Sequence, residues 1–197
     1  MAIKIFIDQG HNPGSINGGA SANRLNEATI NYQVGTYLLH FLQNDQRFEV
    51  MCSRISSTQI LGVNAATSLQ ERVNMANNWN ADYFLSIHCN SNPNPSIQGS
   101  EIYVYQIPST AYNLAQIILK NIVNLLGIAD NLVRSNSNLY VLRATQMPAL
   151  LIELGYLTNI QDATLLFSNQ FLFAYAIYRG ILEYFNIKKT DIDLNIR

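Results

Sequence analysis

Two of the three histidines in this 197-residue chain close apolar, strand-like runs. His11 follows Ile3-Lys4-Ile5-Phe6-Ile7-Asp8, and His88 follows Tyr83-Phe84-Leu85-Ser86-Ile87. In an open α/β sheet the carboxyl ends of the strands share a crevice, so imidazoles far apart in sequence can converge there on a metal ion. Two carboxylates sit at equally abrupt changes of pattern. Glu27 ends a Gly/Asn/Ser-rich stretch over 12–26 and opens an apolar-periodic segment, while Glu153 closes Ala149-Leu150-Leu151-Ile152. An acidic group buried there without a partner costs several kcal/mol, roughly 2 to 7 even for a neutral polar group. Taken singly, either histidine reads as a satisfied core or loop residue; the conjunction with two such carboxylates points to chemistry.

The neighbours of these four positions form an ordered series. Asp8-Gln9-Gly10-His11 is followed by Gly19-Ala20 and Leu25-Asn26-Glu27, then Arg72 with Ala76-Asn77, Ala81-Asp82 and Ser86-Ile87-His88-Cys89-Asn90-Ser91. Met147-Pro148-Ala149 and Ile152-Glu153-Leu154-Gly155-Tyr156-Leu157-Thr158-Asn159 complete it. Over nearly the whole chain this series resembles the zinc-dependent N-acetylmuramoyl-L-alanine amidases, which cleave bacterial peptidoglycan. The resemblance implies that His11, Glu27 and His88 bind one zinc ion (Zn2+), and that Glu153 acts on the bound water or the leaving amine. Gln9 stands where many relatives have proline, Asn12-Pro13 replaces a glycine pair, and Cys89 takes a position usually held by a smaller residue. These departures bear on the contour of the substrate side more than on the ligand set. Cys89 is expected to point away from the zinc if strand alternation continues past His88.

Such a set suits the reaction. A zinc with three protein ligands keeps a fourth position in which the pKa of water falls to about 7. The metal then polarises the lactyl carbonyl, and a carboxylate must carry a proton to the departing L-alanine nitrogen. Glu153 is the candidate for that shuttle. A different zinc amide hydrolase or peptidase on the same fold is an alternative, although no His-Glu-x-x-His helix occurs. A non-catalytic wall-binding protein is another, and it would need neither a metal set nor a separate carboxylate.

The elements that must position these residues alternate between strand and helix. Apolar runs predict strands over 3–8, 48–53, 83–88 and 100–106. Helical periodicity predicts helices over 27–44, with Ile30, Val34, Tyr37, Leu38 and Phe41 on one face, and over 69–79. A third helix is expected to start near Pro108, carry Leu114, Ile118, Ile122 and Leu125, and end near Gly127. Residues 90–99 and 130–138 read as loops, the latter as a possible border of the cleft, followed by segments 140–144 and 149–153. One long final helix over 161–185 carries Phe171, Tyr175, Tyr178, Leu182 and Phe185, an aromatic stripe read as core and not as a sugar platform. The expectation is a three-layer α/β domain over 1–187, with a mixed, largely parallel central sheet flanked by helices, and a polar tail over 188–197.

The chain is 48% apolar and 13% charged with a net charge of −1, enough for one well-buried domain and no polybasic surface. Bulk electrostatic binding of nucleic acid is therefore not expected. No apolar run approaches the roughly 20 residues of a membrane span, and the N-terminus lacks the pattern of a signal peptide. An enzyme acting at the bacterial cell wall is then either secreted by a signal this sequence does not carry or released on cell lysis. The partner implied by the resemblance is peptidoglycan, with the need for an activator protein left open.

Other polar residues carry blander readings. His40 is read as a helix-surface or packing residue, and Arg54 and Arg72 as ion-pairing or carbonyl-capping arginines. Asp8 and Glu101 are possible acceptors orienting the imidazoles, with strand-end capping as the alternative. Asn90 and Arg143 are candidate substrate contacts, balanced against shaping loops through backbone hydrogen bonds. Cys52 and Cys89 lack the spacing of a metal or redox pair and are read as buried thiols.

Overall fold

A computed structural model describes residues 2–188. The expected tail therefore lies, apart from Lys188, outside the described residues. Six strands form one sheet in the order β4-β1-β5-β8-β6-β7. The strands β1 (Ile3–Gln9), β4 (Phe48–Cys52), β5 (Tyr83–Asn90) and β8 (Ala149–Tyr156) run parallel, so their carboxyl ends meet. The strand β6 (Ser100–Val104) is antiparallel to β8, and β7 (Asp130–Ser135) runs parallel to β6. Reversal of β6 brings its first residues to the end where the parallel strands finish.

Side chains alternate across a strand, and the two faces are both apolar over most of their length. One face carries Ile5, Ile7, Leu85, Ile87, Ile102, Leu150 and Ile152. It is covered by α1 (Glu27–Gln43), α3 (Thr110–Leu126) and α6 (Gln170–Tyr184) through residues such as Val34, Leu38, Leu114, Ile118, Ile177 and Ile181. The other face carries Phe6, Phe84 and Leu151 under α2 (Ala65–Asn78) and α4 (Tyr140–Ala144). Toward the carboxyl ends of the parallel strands, the residues that alternate into this second face become polar: Asp8, Ser86, His88, Glu153 and Glu101. The three-layer arrangement and the mixed, largely parallel sheet are as expected.

Differences from the expected elements have local causes. Helix α2 begins one turn before Leu69 because Asn64 and Thr67 form a reciprocal capping box, whereas the apolar period starts only at Leu69. Residues 130–138 are not one long loop. Asp130–Ser135 is an edge strand whose backbone pairs with β6 while its side chains stay mostly exposed, so it carries no hydrophobic signal. The final helix is two, α5 (Ile160–Ser168) and α6, separated by Asn169, whose N–H donates to Leu165 O at 2.8 Å while its own carbonyl accepts from Phe173. The segment 140–144 is the helix α4. Phe171, Tyr175 and Tyr178 pack around Phe41 of α1 with ring centroids 5.1 to 5.5 Å apart, which places the aromatic stripe between helices. A small hairpin, β2 (Ser21–Ala22) with β3 (Leu25–Asn26), turns through Asn23 and Arg24, both at positive φ. Among the described residues, no helix is long and apolar enough to cross a membrane.

Candidate metal centre

The exit of β1 is built for close approach. Gly10 N–H continues the ladder to Ile87 O at 3.0 Å, and a Cβ at Gly10 would fall 2.4 Å from His88 Nε2. Glycine is thus required by the imidazole from the neighbouring strand. His11 then takes a left-handed φ of 66°, a conformation that costs on the order of 1 kcal/mol or more for a residue with a side chain. Arg72 holds this bend. Its buried guanidinium pairs with Asp8 Oδ1 at 2.6 Å and donates to Gln9 O, His11 O and Asn12 Oδ1.

His11 Nδ1 lies 3.1 Å from both the backbone and side-chain oxygens of Asn17. Two acceptors on one nitrogen place a proton on Nδ1, so that Nε2 is the nitrogen left to bind a metal in place of its own proton. That Nε2 is 3.1 Å from Glu27 Oε1, and His88 Nδ1 is 3.0 Å from the same oxygen. Glu27 opens α1 beyond its cap, Asn26, whose side chain accepts from Thr29 N. The second oxygen, Oε2, accepts from Ala20 N at 2.9 Å, and Gly19, at φ 74°, passes so near that a Cβ would sit 2.8 Å from Oε2. The two rings stand edge to face, 4.8 Å between centroids. One donor atom from each of His11, Glu27 and His88 lies within 4.8 Å of the others.

Burial opposes ionisation of Glu27, yet the hydrogen bonds and positive charge of His11 and His88 outweigh it and hold the carboxyl far below its usual range. Burial likewise disfavours charge on His11, and the Glu27 carboxylate and the Asn17 acceptors reverse that, raising its pKa. Two imidazoles and an ionised carboxylate, converging from three elements, form a donor set that fits zinc. A cation there replaces the protons that the imidazoles otherwise hold against Glu27.

Glu153, on β8, is the register partner of His88 on β5 and of Glu101 on β6. Its Oε2 has no hydrogen-bond partner in the described structure. Burial, followed by the charges of Glu27 and Glu101, pushes its pKa well above the ordinary carboxylate range. A carboxyl that keeps a proton beside a polar cluster is suited to proton transfer.

Asn90, two residues beyond His88, donates to Glu101 Oε1 at 2.7 Å, and Tyr156 OH donates to the same oxygen at 3.0 Å. Neither Asp8 nor Glu101 takes a hydrogen bond from an imidazole: Asp8 is held by Arg72 and Ser86, and Glu101 by Asn90 and Tyr156, with Arg134 beside it. Arg143 is placed apart from the cluster. It sits on α4, its guanidinium donating to Ser137 O and Asn138 O at 3.1 Å and lying over the Tyr140 ring, with no hydrogen bond or ion pair to the cluster among the described residues. His40 stays on the exposed side of α1. Arg54 donates to Ala28 O and lies over the Tyr32 ring. Cys89 turns away from the cluster, Sγ to Asn31 Oδ1 at 3.4 Å, and Cys52 and Cys89 are both buried and unbonded to each other. The orienting role of Asn17 had no distinct sequence signal, because it is one asparagine in a loop full of them.

A sequence profile described as N-acetylmuramoyl-L-alanine amidase matches residues 5–183. The chain belongs to that family. It is 36% identical over 195 residues to the sporulation-specific N-acetylmuramoyl-L-alanine amidase of Bacillus subtilis (strain 168), covering 96% of this chain and 71% of that one. It is 38% identical over 194 residues to the N-acetylmuramoyl-L-alanine amidase CwlM of Bacillus licheniformis, covering 95% and 71%. The crystal structure of an N-acetylmuramoyl-L-alanine amidase from Clostridium difficile 630 superposes with a TM-score of 0.83 at 31% identity, over 95% of this chain and 99% of that one.

Proposed function

We propose that this protein hydrolyses the amide between N-acetylmuramic acid and the L-alanine of the stem peptide, acting on peptidoglycan at the bacterial cell wall with one zinc ion. The observation that carries the reading is the convergence of His11, Glu27 and His88 to within 4.8 Å, with Glu153 directly across the ladder from His88. When bound, zinc supplies a Lewis acid for the amide carbonyl and lowers the pKa of water to about 7. His11, Glu27 and His88 hold it; Asn17 fixes the ring of His11, and Arg72 fixes the backbone that presents it.

Glu153 supplies the proton traffic. The attacking water loses a proton to its carboxylate, and the same carboxyl then protonates the departing nitrogen, so that an amine and not an amide anion leaves. The unpartnered Oε2 and the raised pKa support that role, since burial and the neighbouring carboxylates favour the protonated form that the second step draws on. Residues 1–187 are taken as the catalytic unit.

Metal content by mass spectrometry, together with mass analysis of digested peptidoglycan, tests the reading. One zinc per chain and release of peptides with a free L-alanine amino terminus is the expected result. Zinc without muramoyl cleavage would move the assignment to another amide substrate, and a chain that binds no metal would overturn the mechanism.

A further inference from the structure

Arg134 is exposed on the edge strand β7, yet it is tethered. Its side chain is 56% exposed, with Nε 3.3 Å from Glu101 Oε2 and 3.1 Å from Asn131 O. Among the described residues, no hydrogen bond engages Nη1 or Nη2. Arginine–carboxylate pairs frequently set the fork on both oxygens, and this one does not. Here Glu101 already accepts from Asn90 and Tyr156 at Oε1, and Arg134 gives its single Nε hydrogen to Asn131 O while lying 3.3 Å from Glu101 Oε2 as a charge partner. The fork that remains is the one geometry suited to taking a second, external carboxylate through two parallel N–H donors.

The sheet face from which Arg134 projects follows from the register. Arg134 pairs with Tyr103, and Tyr103 lies on the same sheet face as Glu101 and Glu153, the face into which His88 also alternates. Glu101 is one strand, about 5 Å, from Glu153. The guanidinium beside Glu101 is therefore within about 10 Å of Glu153, the residue that the proposed function sets against the amide. An extended chain spans about 3.5 Å per residue, so a group on the second residue of a stem peptide stands about 7 Å from the amide at its first.

Resting on the reading of the site as a muramoyl amidase, we infer that Arg134 is a specificity-determining residue that binds the free α-carboxylate on the second residue of the stem peptide. Asn131 O holds the Arg134 Nε hydrogen, and the Glu101 charge keeps the guanidinium beside the site. The preference arises because the neutral carboxamide offers one weaker acceptor and a like-polarity N–H to a fork of donors.

The test uses the zinc-loaded full chain and two soluble muramoyl peptides identical except at the second residue, D-glutamate with a free α-carboxylate or its α-carboxamide. Wild type is expected to favour the free acid by about tenfold or more in kcat/KM, carried mainly by KM. Arg134→Gln should raise KM for the free acid and abolish the preference, and Arg134→Lys, which keeps charge but loses the fork, should restore only part of it. Retention of the wild-type preference in Arg134→Gln, or an equal loss on both substrates with a lowered melting temperature, would overturn the inference while leaving the amidase reading intact. Cleavage of neither substrate by wild type would overturn both.

Discussion

Asp8 and Glu153 are carboxylates alternating into the same sheet face, and their surroundings drive them in opposite directions. Burial alone would raise both. For Asp8 the Arg72 charge and the Ser86 hydrogen bond overcome it and lower the pKa; for Glu153 no donor answers Oε2, and neighbouring carboxylates add to the rise. Arg72→Met strands the Asp8 charge and releases three acceptors at the β1 exit. A loss of about 3 to 5 kcal/mol is expected, read from urea denaturation. Because the folded pKa of Asp8 lies below 3.8, its contribution is complete above that pH and fades as pH falls through the lowered value. An Asp8→Asn protein, measured by acid unfolding, should therefore show less stability at neutral pH and a shallower loss on acidification. Glu153→Gln preserves volume and removes the proton carrier: peptide release should fall by about 10²- to 10⁴-fold with zinc content unchanged. Zinc lost in that variant would instead make Glu153 a ligand. At this scale the sequence was readable wherever a polar residue interrupts an apolar run, as at His11, His88 and Glu153. Asn17 interrupts nothing, and its contact with His11 exists only once the loop is folded.

Elements were legible in proportion to the apolar side chains they bury. The parallel strands bury both faces and read as continuous apolar runs, whereas β7 contributes backbone pairing and little else, so its polar sequence resembled a loop. The break at Asn169 was hidden for the converse reason: Leu166 and Phe173, seven residues apart and both buried, keep helical spacing across it, and only the turn of backbone between α5 and α6 interrupts them. Glycine inside α6 is a sharper case. Gly180→Ala in an isolated helix would gain about 0.5 to 1 kcal/mol. Here the new Cβ would lie 2.7 Å from Ile118 Cα and 2.9 Å from its Cγ1, forcing α3 away from α6. Overpacking of about 1 to 3 kcal/mol exceeds the propensity gain, so the variant should melt at a lower temperature. A rise in melting temperature would mean that the two helices part freely.

For the molecule as a whole, the centre is a product of topology. Glu27 and His88 lie 61 residues apart and come from opposite sides of the sheet end, Glu27 at the start of a helix on one face and His88 within a strand. The unfolded chain has no counterpart of this site, so zinc bound there adds to folding stability. Unlike a small zinc module, the domain has apolar clusters on both sheet faces that are independent of the metal, and chelation should leave it folded. Free zinc at about 100 times its dissociation constant should add about 2.7 kcal/mol. For a chain of this size that is a rise of about 5 to 10 °C in melting temperature. His88→Ala should abolish the shift, and its metal-free form should itself melt lower than wild type, because the buried Glu27 carboxylate loses one of the two imidazoles that offset its burial. A zinc-dependent rise that survives in His88→Ala would place the ion away from the three converging donors, and with it the chemistry assigned to this end of the sheet.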